Sequence, residues 1–127
     1  MMQEERLLLL ALRGRDSEVI AQLLNKQGHV CHPCTDVTEL ADQLYQGAGT
    51  AILTEESLVG ADRQALDAWL NQQPAWSDFP FILLATKRSG RRPAEAVEVL
   101  ERLGNVVVLE RPIHGETLAS AVKSSLR

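Results

Sequence analysis

No run of apolar residues in this chain approaches the ~20 that a membrane-crossing helix requires. The most apolar stretch near the start, "LLLLAL" at 7–12, is short and follows the acids of "MMQEER". It reads as a buried strand and not as a secretory signal. Cysteine is scarce, two in 127 residues. That leaves no disulfide framework, and without a secretory signal a reducing cytoplasm is the expected location. An excess of basic charge is also missing. Thirteen Lys and Arg stand against 17 Asp and Glu, a formal net charge of -4, which argues against broad nucleic-acid binding. There is no glycine-rich phosphate loop, since Gly14 stands alone after the first apolar run. No Ser–His–Asp constellation, internal repeat, linker or low-complexity tract is readable.

What is present fits one soluble globular domain, with 45% apolar residues. A chain of this size buries roughly two-thirds of its unfolded surface, so neither a disulfide nor a metal is needed for folding. Four runs are near-continuously apolar: 7–12, "AIL" at 51–53, "FILLA" at 81–85 and "VVVL" at 106–109. Such runs predict strands buried on both faces, as in a parallel sheet. The segment around Cys31 is shorter and mixed, which suits an edge strand. Between the runs lie helical spacings. Val19, Ile20, Leu23 and Leu24 share a face after Asp16 or Ser17 as N-cap, and Val37, Leu40, Ala41 and Leu44 share another after Thr35 or Asp36. Leu66, Trp69 and Leu70 form a third face. Pro93 opens a fourth helix carrying Ala96, Val97 and Leu100, and Gly104 closes it. Leu118, Ala121 and Val122 make a fifth. Strand and helix thus alternate five times, which predicts a three-layer (βα)5 doubly wound parallel sheet. The chain stops at "SSLR" without a glycine or proline stop, so residues 1–127 are expected to be an N-terminal fragment of a longer protein.

The stretch "GHVCHPCTD", 28–36, has the Cys-x-x-Cys outline of a disulfide-exchange site. Reactive dithiols place the first, exposed cysteine at a helix N-terminus that lowers its pKa. Here Pro33, Thr35 and Asp36 separate Cys31 from the helix start. Zinc is a second possibility, since His29, Cys31, His32 and Cys34 are the right ligand types. Adjacent strand residues point to opposite faces, though, and structural zinc sites use two separated ligand pairs. Packing, with cysteine as a small hydrophobe, is the favoured reading of both thiols. His114 has no evident partner and reads as a surface residue.

The five βα units, ending in "VLERPIHGETLASAVKSSL", resemble the receiver domain of bacterial response regulators over nearly the whole chain. The most specific piece is "ERPI", where the family's Lys-Pro step reads Arg111-Pro112. "GHVCHPCTDVTEL" fits the family's second strand and following helix. More narrowly, "LLNKQGHV", "WSDFPFILL" and "LGNVVVLERPI" together resemble the receiver-like N-terminal segment of certain bacterial sensor histidine kinases. The resemblance implies a receiver/flavodoxin-like fold with strand order 2-1-3-4-5.

A working receiver holds Mg²⁺ on an acidic pair after the first strand and phosphorylates an Asp after the third. It also uses Thr or Ser after the fourth and Lys after the fifth. The metal neutralises charge that would otherwise repel the phosphodonor. By position the acidic pair falls on Ala11 and Leu12, which cannot ligate a metal. The acceptor falls on Glu55, beside Thr54. The hydroxyl position falls on Ala85 or Thr86, and the lysine position on Arg111. The resemblance therefore implies a degenerate receiver with no catalytic residue, no metal and no cofactor, which works without phosphorylation. Glu55 is read either as a permanent charge locked to Arg111 or as a solvated loop acid.

Strand ends in doubly wound sheets are where ligands bind. Arg13, Arg15, Lys87, Arg88, Arg91, Arg92 and Arg111 follow strands one, four and five, so seven of the 13 basic residues crowd that rim. A solvated basic rim is the plainer reading; an anion- or nucleotide-sensing rim is the alternative. The favoured function is a non-catalytic signalling module acting by protein–protein contact, as the regulatory segment of a histidine kinase. Its partner is a protein or a second copy, bound through the region from Pro93 to Leu126, with no nucleic acid and no membrane insertion. An enzyme of flavodoxin-like fold is the remaining reading, and no nucleophile–base pair supports it.

Overall fold

The computed structural model describes residues 6–10, 16–58, 62–73, 78–85, 94–110 and 114–126. These residues form strands β1 (Leu7–Leu10), β2 (Cys31–Cys34), β3 (Thr50–Thr54), β4 (Phe81–Ala85) and β5 (Val106–Glu110). Between and after them lie helices α1 (Asp16–Lys26), α2 (Val37–Gln46), α3 (Glu55–Leu58), α4 (Gln64–Asn71), α5 (Ala94–Leu103) and α6 (Gly115–Ser125). All neighbouring strands run parallel, in the order β2-β1-β3-β4-β5. This is the doubly wound, receiver/flavodoxin-like α/β sheet that the sequence predicts.

Strand alternation divides the core in two. Leu8, Leu10, Ala51, Leu53, Phe81 and Leu83 face one layer with buried residues of α2, α3, α4 and α5. Leu7, Leu9, Ile52, Ile82 and Leu84 face the other with Ile20 and Leu24 of α1 and Leu118 and Val122 of α6. Every residue of β1, β3 and β4 is buried, which explains why their sequences read as unbroken apolar runs.

The edge strands differ. β2 carries Pro33 in its exposed position, which an edge tolerates because only one side of its ladder is paired. β5 was expected to be buried on both faces. It lies at the other edge instead, half-buried to exposed along its length, with Val107 43% accessible. An apolar run of β-branched residues looks the same at an edge as in the middle of a sheet. Two helical assignments also shift. Val19 and Val97 are exposed, while α5 buries Ala96, Val99 and Leu103 at i, i+3 and i+7. Asp16 is the first residue of α1 and not a flanking cap. Residues 11–12, predicted to extend the first strand, lie outside the described residues.

Local signals set the helix ends. Asp36 is the N-cap of α2, and its Oδ1 accepts from the Glu39 N–H at 2.8 Å. The Glu39 carboxylate reaches back to accept from Thr35 N–H and Thr35 Oγ1, both at 2.7 Å. At the other end of α2, Arg6 donates from Nε to Gly47 O (2.8 Å) and from Nη2 to Gln43 O (2.9 Å). A cation is thereby held on the carbonyls that a helix leaves unpaired. Gly104 follows α5 with φ +79°, a left-handed stop that favours glycine.

The contrast between centre and edge is testable by chemical denaturation. Leu53→Ala, at a fully buried central position, is expected to cost about 2–5 kcal/mol. Val107→Ala, on the open edge, is expected to stay within about 1 kcal/mol. Equal losses at both sites would refute this description of the sheet.

Candidate functional site

The site predicted from sequence lies where the strands end. The register aligns Leu10 with Leu53, Thr54 with Leu84, and Leu84 with Leu109. Ala85 pairs with Glu110 one step further on. The C-terminal ends of β1, β3, β4 and β5 therefore lie at one end of the sheet. Of the predicted site residues, Glu55 is described. Ala11, Leu12, Thr86, Arg111 and Pro112 lie outside the described residues, as do Arg13, Arg15, Lys87, Arg88, Arg91, Arg92 and Pro93.

Glu55 does not sit in a solvated loop. It opens α3, a single helical turn directly after β3, and is only 4% exposed. Two carboxylates in the first turn suit the positive end of the helix dipole. Thr54 and Ser57 flank it, both buried, with their hydroxyls Oγ1 and Oγ hydrogen-bonded to each other. Ser57 escaped the sequence reading. Its spacing, three residues after Thr54 across a strand-to-helix turn, is the signal that could have found it. The corner thus offers a carboxylate and a hydroxyl pair, held in place and shielded from water. Leu58, the last residue of α3, is fully buried and anchors the turn in the core.

The Cys-x-x-Cys segment is extended strand, which settles the geometry of its thiols. Three residues of strand span about 10 Å, beyond the Cα separation that a disulfide allows. Cys34 joins the layer of Leu8 and Leu10, while Cys31 packs in the opposite layer with Leu7 and Leu9. The two sulfurs cannot share a metal or a bridge. Both thiols are free. Burial, then the nearby charge of Glu39, pushes the Cys34 thiol up to about 11, and burial raises Cys31 as well. Neither has the lowered pKa of a reactive cysteine. His32 Nε2 lies 3.6 Å from Glu39 Oε2, an ion pair only when the imidazole is protonated. Among the described residues no three His, Cys, Asp or Glu side chains gather to hold a metal ion. His114, just before α6, is exposed and makes no capping hydrogen bond with its side chain.

Comparison with known proteins places this geometry. No protein-family profile matches the chain, and no curated protein sequence matches it. Solved structures do. The signal receiver domain of a signal transduction histidine kinase from Syntrophus aciditrophicus aligns with a TM-score of 0.73 at 24% identity, covering 96% of this chain and 89% of that one. A receiver domain protein (CheY-like) from Methanospirillum hungatei JF-1 gives 0.74 at 14% identity, covering 96% and 93%. A two-component response regulator from Clostridium difficile gives 0.72 at 15%, covering 97% and 96%. The fold is that of the receiver domains of two-component signalling. Among the described residues, no helix is long and apolar enough to cross a membrane.

Two outcomes follow from the β2–α2 corner. The Thr35 backbone N–H, then its hydroxyl, and beyond them His32 hold the Glu39 carboxyl below the ordinary glutamate range. A carboxyl whose pKa falls on folding stabilises the folded state above its unfolded pKa and loses that contribution as pH drops through the lowered value. Glu39→Gln should therefore melt earlier than the parent at neutral pH, and the two melting curves should converge on acidification. A gap that is constant with pH would contradict this. Iodoacetamide at neutral pH should leave Cys34 unmodified until denaturant is added; rapid labelling in the folded state would show a reactive thiol.

Proposed function

We propose that this chain is a receiver-fold module that signals by protein contact without phosphoryl transfer. The observation that carries this reading is Glu55, a glutamate buried at the end of β3 where a receiver has its acceptor aspartate. The positions that would supply metal-binding acids hold Ala11 and Leu12. In this reading Arg111, immediately after Glu110 in the sequence, adds a fixed positive charge to the end of the sheet where Glu55 lies. β3 and β5 lie two strand spacings apart, about 10 Å. Glu55 and Arg111 are read as a fixed charge pair in place of a switchable phosphate.

The contact face is the α5–β5–α6 side, within the region from Pro93 to Leu126. Val97 and Val107 are large apolar residues left 42% and 43% exposed. Val107, Leu109 and Ala121 line a groove of about 490 Å³, rimmed by Glu116, Thr117, Ser120 and Ser124. An apolar floor with a polar rim is how protein interfaces are built. The occupant proposed is a second copy of the chain. Residues 1–127 would then be the N-terminal regulatory domain of a bacterial histidine kinase, whose dimer would receive the geometry of the pair through α6. The Syntrophus neighbour, a receiver domain of such a kinase, supports that parentage. The basic rim of Arg13, Arg15, Lys87, Arg88, Arg91 and Arg92 carries the alternative, sensing of a small anion or nucleotide.

Incubation with acetyl phosphate and Mg²⁺ should leave the intact mass unchanged; a phosphate-mass adduct would overturn the phosphorylation-independent reading. Light scattering should show a dimer that Val107→Glu converts to a folded monomer. A parent chain that stays monomeric at its highest soluble concentration would remove self-pairing. A thermal shift with phosphate or a nucleotide would bring the alternative forward.

A further inference from the structure

Arg63 is not among the site residues predicted from the sequence. It stands immediately before α4, with its side chain only 20% exposed. Its Nη1 makes two contacts. One is a 2.6 Å hydrogen bond to Leu58 O, the last carbonyl of α3. The other is a 3.1 Å charge-assisted bond to Glu95 Oε1 in the first turn of α5. A four-residue helix has almost no internal hydrogen bonding of its own, and its terminal carbonyls need outside donors. Arg63 supplies one to α3. Glu95 is also well placed for the positive end of α5, so the contact joins the end of one helix to the beginning of another. Partial burial limits the screening that makes most surface ion pairs weak.

We infer that Arg63 is a positioning residue that ties the Glu55 corner to α5, so that the two move as one cooperative unit. One nitrogen serves both acceptors, so any displacement of α3 that draws the guanidinium away also lengthens the bond to Glu95. A change at the end of β3 thereby reaches the first turn of α5 without passing through the strands. The tie itself needs no partner protein; its regulatory value rests on the reading above, that α5 borders the contact face.

Hydrogen exchange on the 127-residue chain, read by mass spectrometry, tests the tie. Ser57→Ala, which breaks the hydroxyl pair joining α3 to the end of β3, should raise exchange in α3 and, several-fold, in the peptide that carries α5. In an Arg63→Ala background the same change should raise α3 and leave α5 where Arg63→Ala alone had put it. Glu95→Gln, which weakens the tie at its far end, gives the same test if Arg63→Ala does not fold. A Ser57→Ala effect that never reaches α5, or reaches it equally with and without the tie, overturns the inference. Repeating the measurement in Val107→Glu separates this from the contact-face reading, because that variant should abolish pairing and keep the coupling.

Discussion

Each of β1, β3 and β4 has another strand on both sides, and every residue along them is buried. Nothing charged fits inside such a slab, so polar chemistry is confined to its ends. Helices must seal both faces: α1 and α6 on one, α2 to α5 on the other. The position of Glu55 follows from this constraint. It is the first ionisable residue after the apolar part of β3, so it emerges at the mouth of the central strand while most of its surface is still covered. A carboxylate there is held in place by packing, a property that a switch site and a locked site share.

What separates the two is the supply of neighbouring groups. A phosphorylatable corner needs several carboxylates converging on a metal, each tolerating the others only while the ion is bound. Among the described residues this corner has one buried carboxylate, Glu55, and a hydroxyl pair, Thr54 with Ser57. The two hydroxyls bond to each other beside Glu55, which packing holds at the end of β3.

The fold was largely readable because its dominant signals are local and strong. The apolar runs at 51–53 and 81–85, and the described part of the run at 7–12, coincide with strands, and the Asp36 cap marks the start of α2. Sequence reading failed where the answer depends on neighbours. Val106 to Leu109 looked like a central strand, and only the pairing order shows that one side is open. Val97 was read onto the buried face of its helix, yet the residue that face buries is Val99, two positions on and about 160° away around the axis. At the site, the position of Glu55 was readable and its burial was not, because α3 is too short to carry a periodicity. Ser57 and Arg63 were invisible for a related reason. Their roles are defined by contacts to a strand end and to a helix 32 residues away in sequence.

The two margins of the sheet are unequally guarded. β2 has a proline in its exposed position, so an incoming chain would find a missing donor there. β5 has no such block: "VVVLE" is β-branched, free of proline and glycine, and ends in a single acid. That margin is the natural seed for fibrillar or amorphous growth when the protein is concentrated or partly unfolded. An unblocked edge of this composition carries a colloidal hazard that the proline of β2 spares the opposite margin.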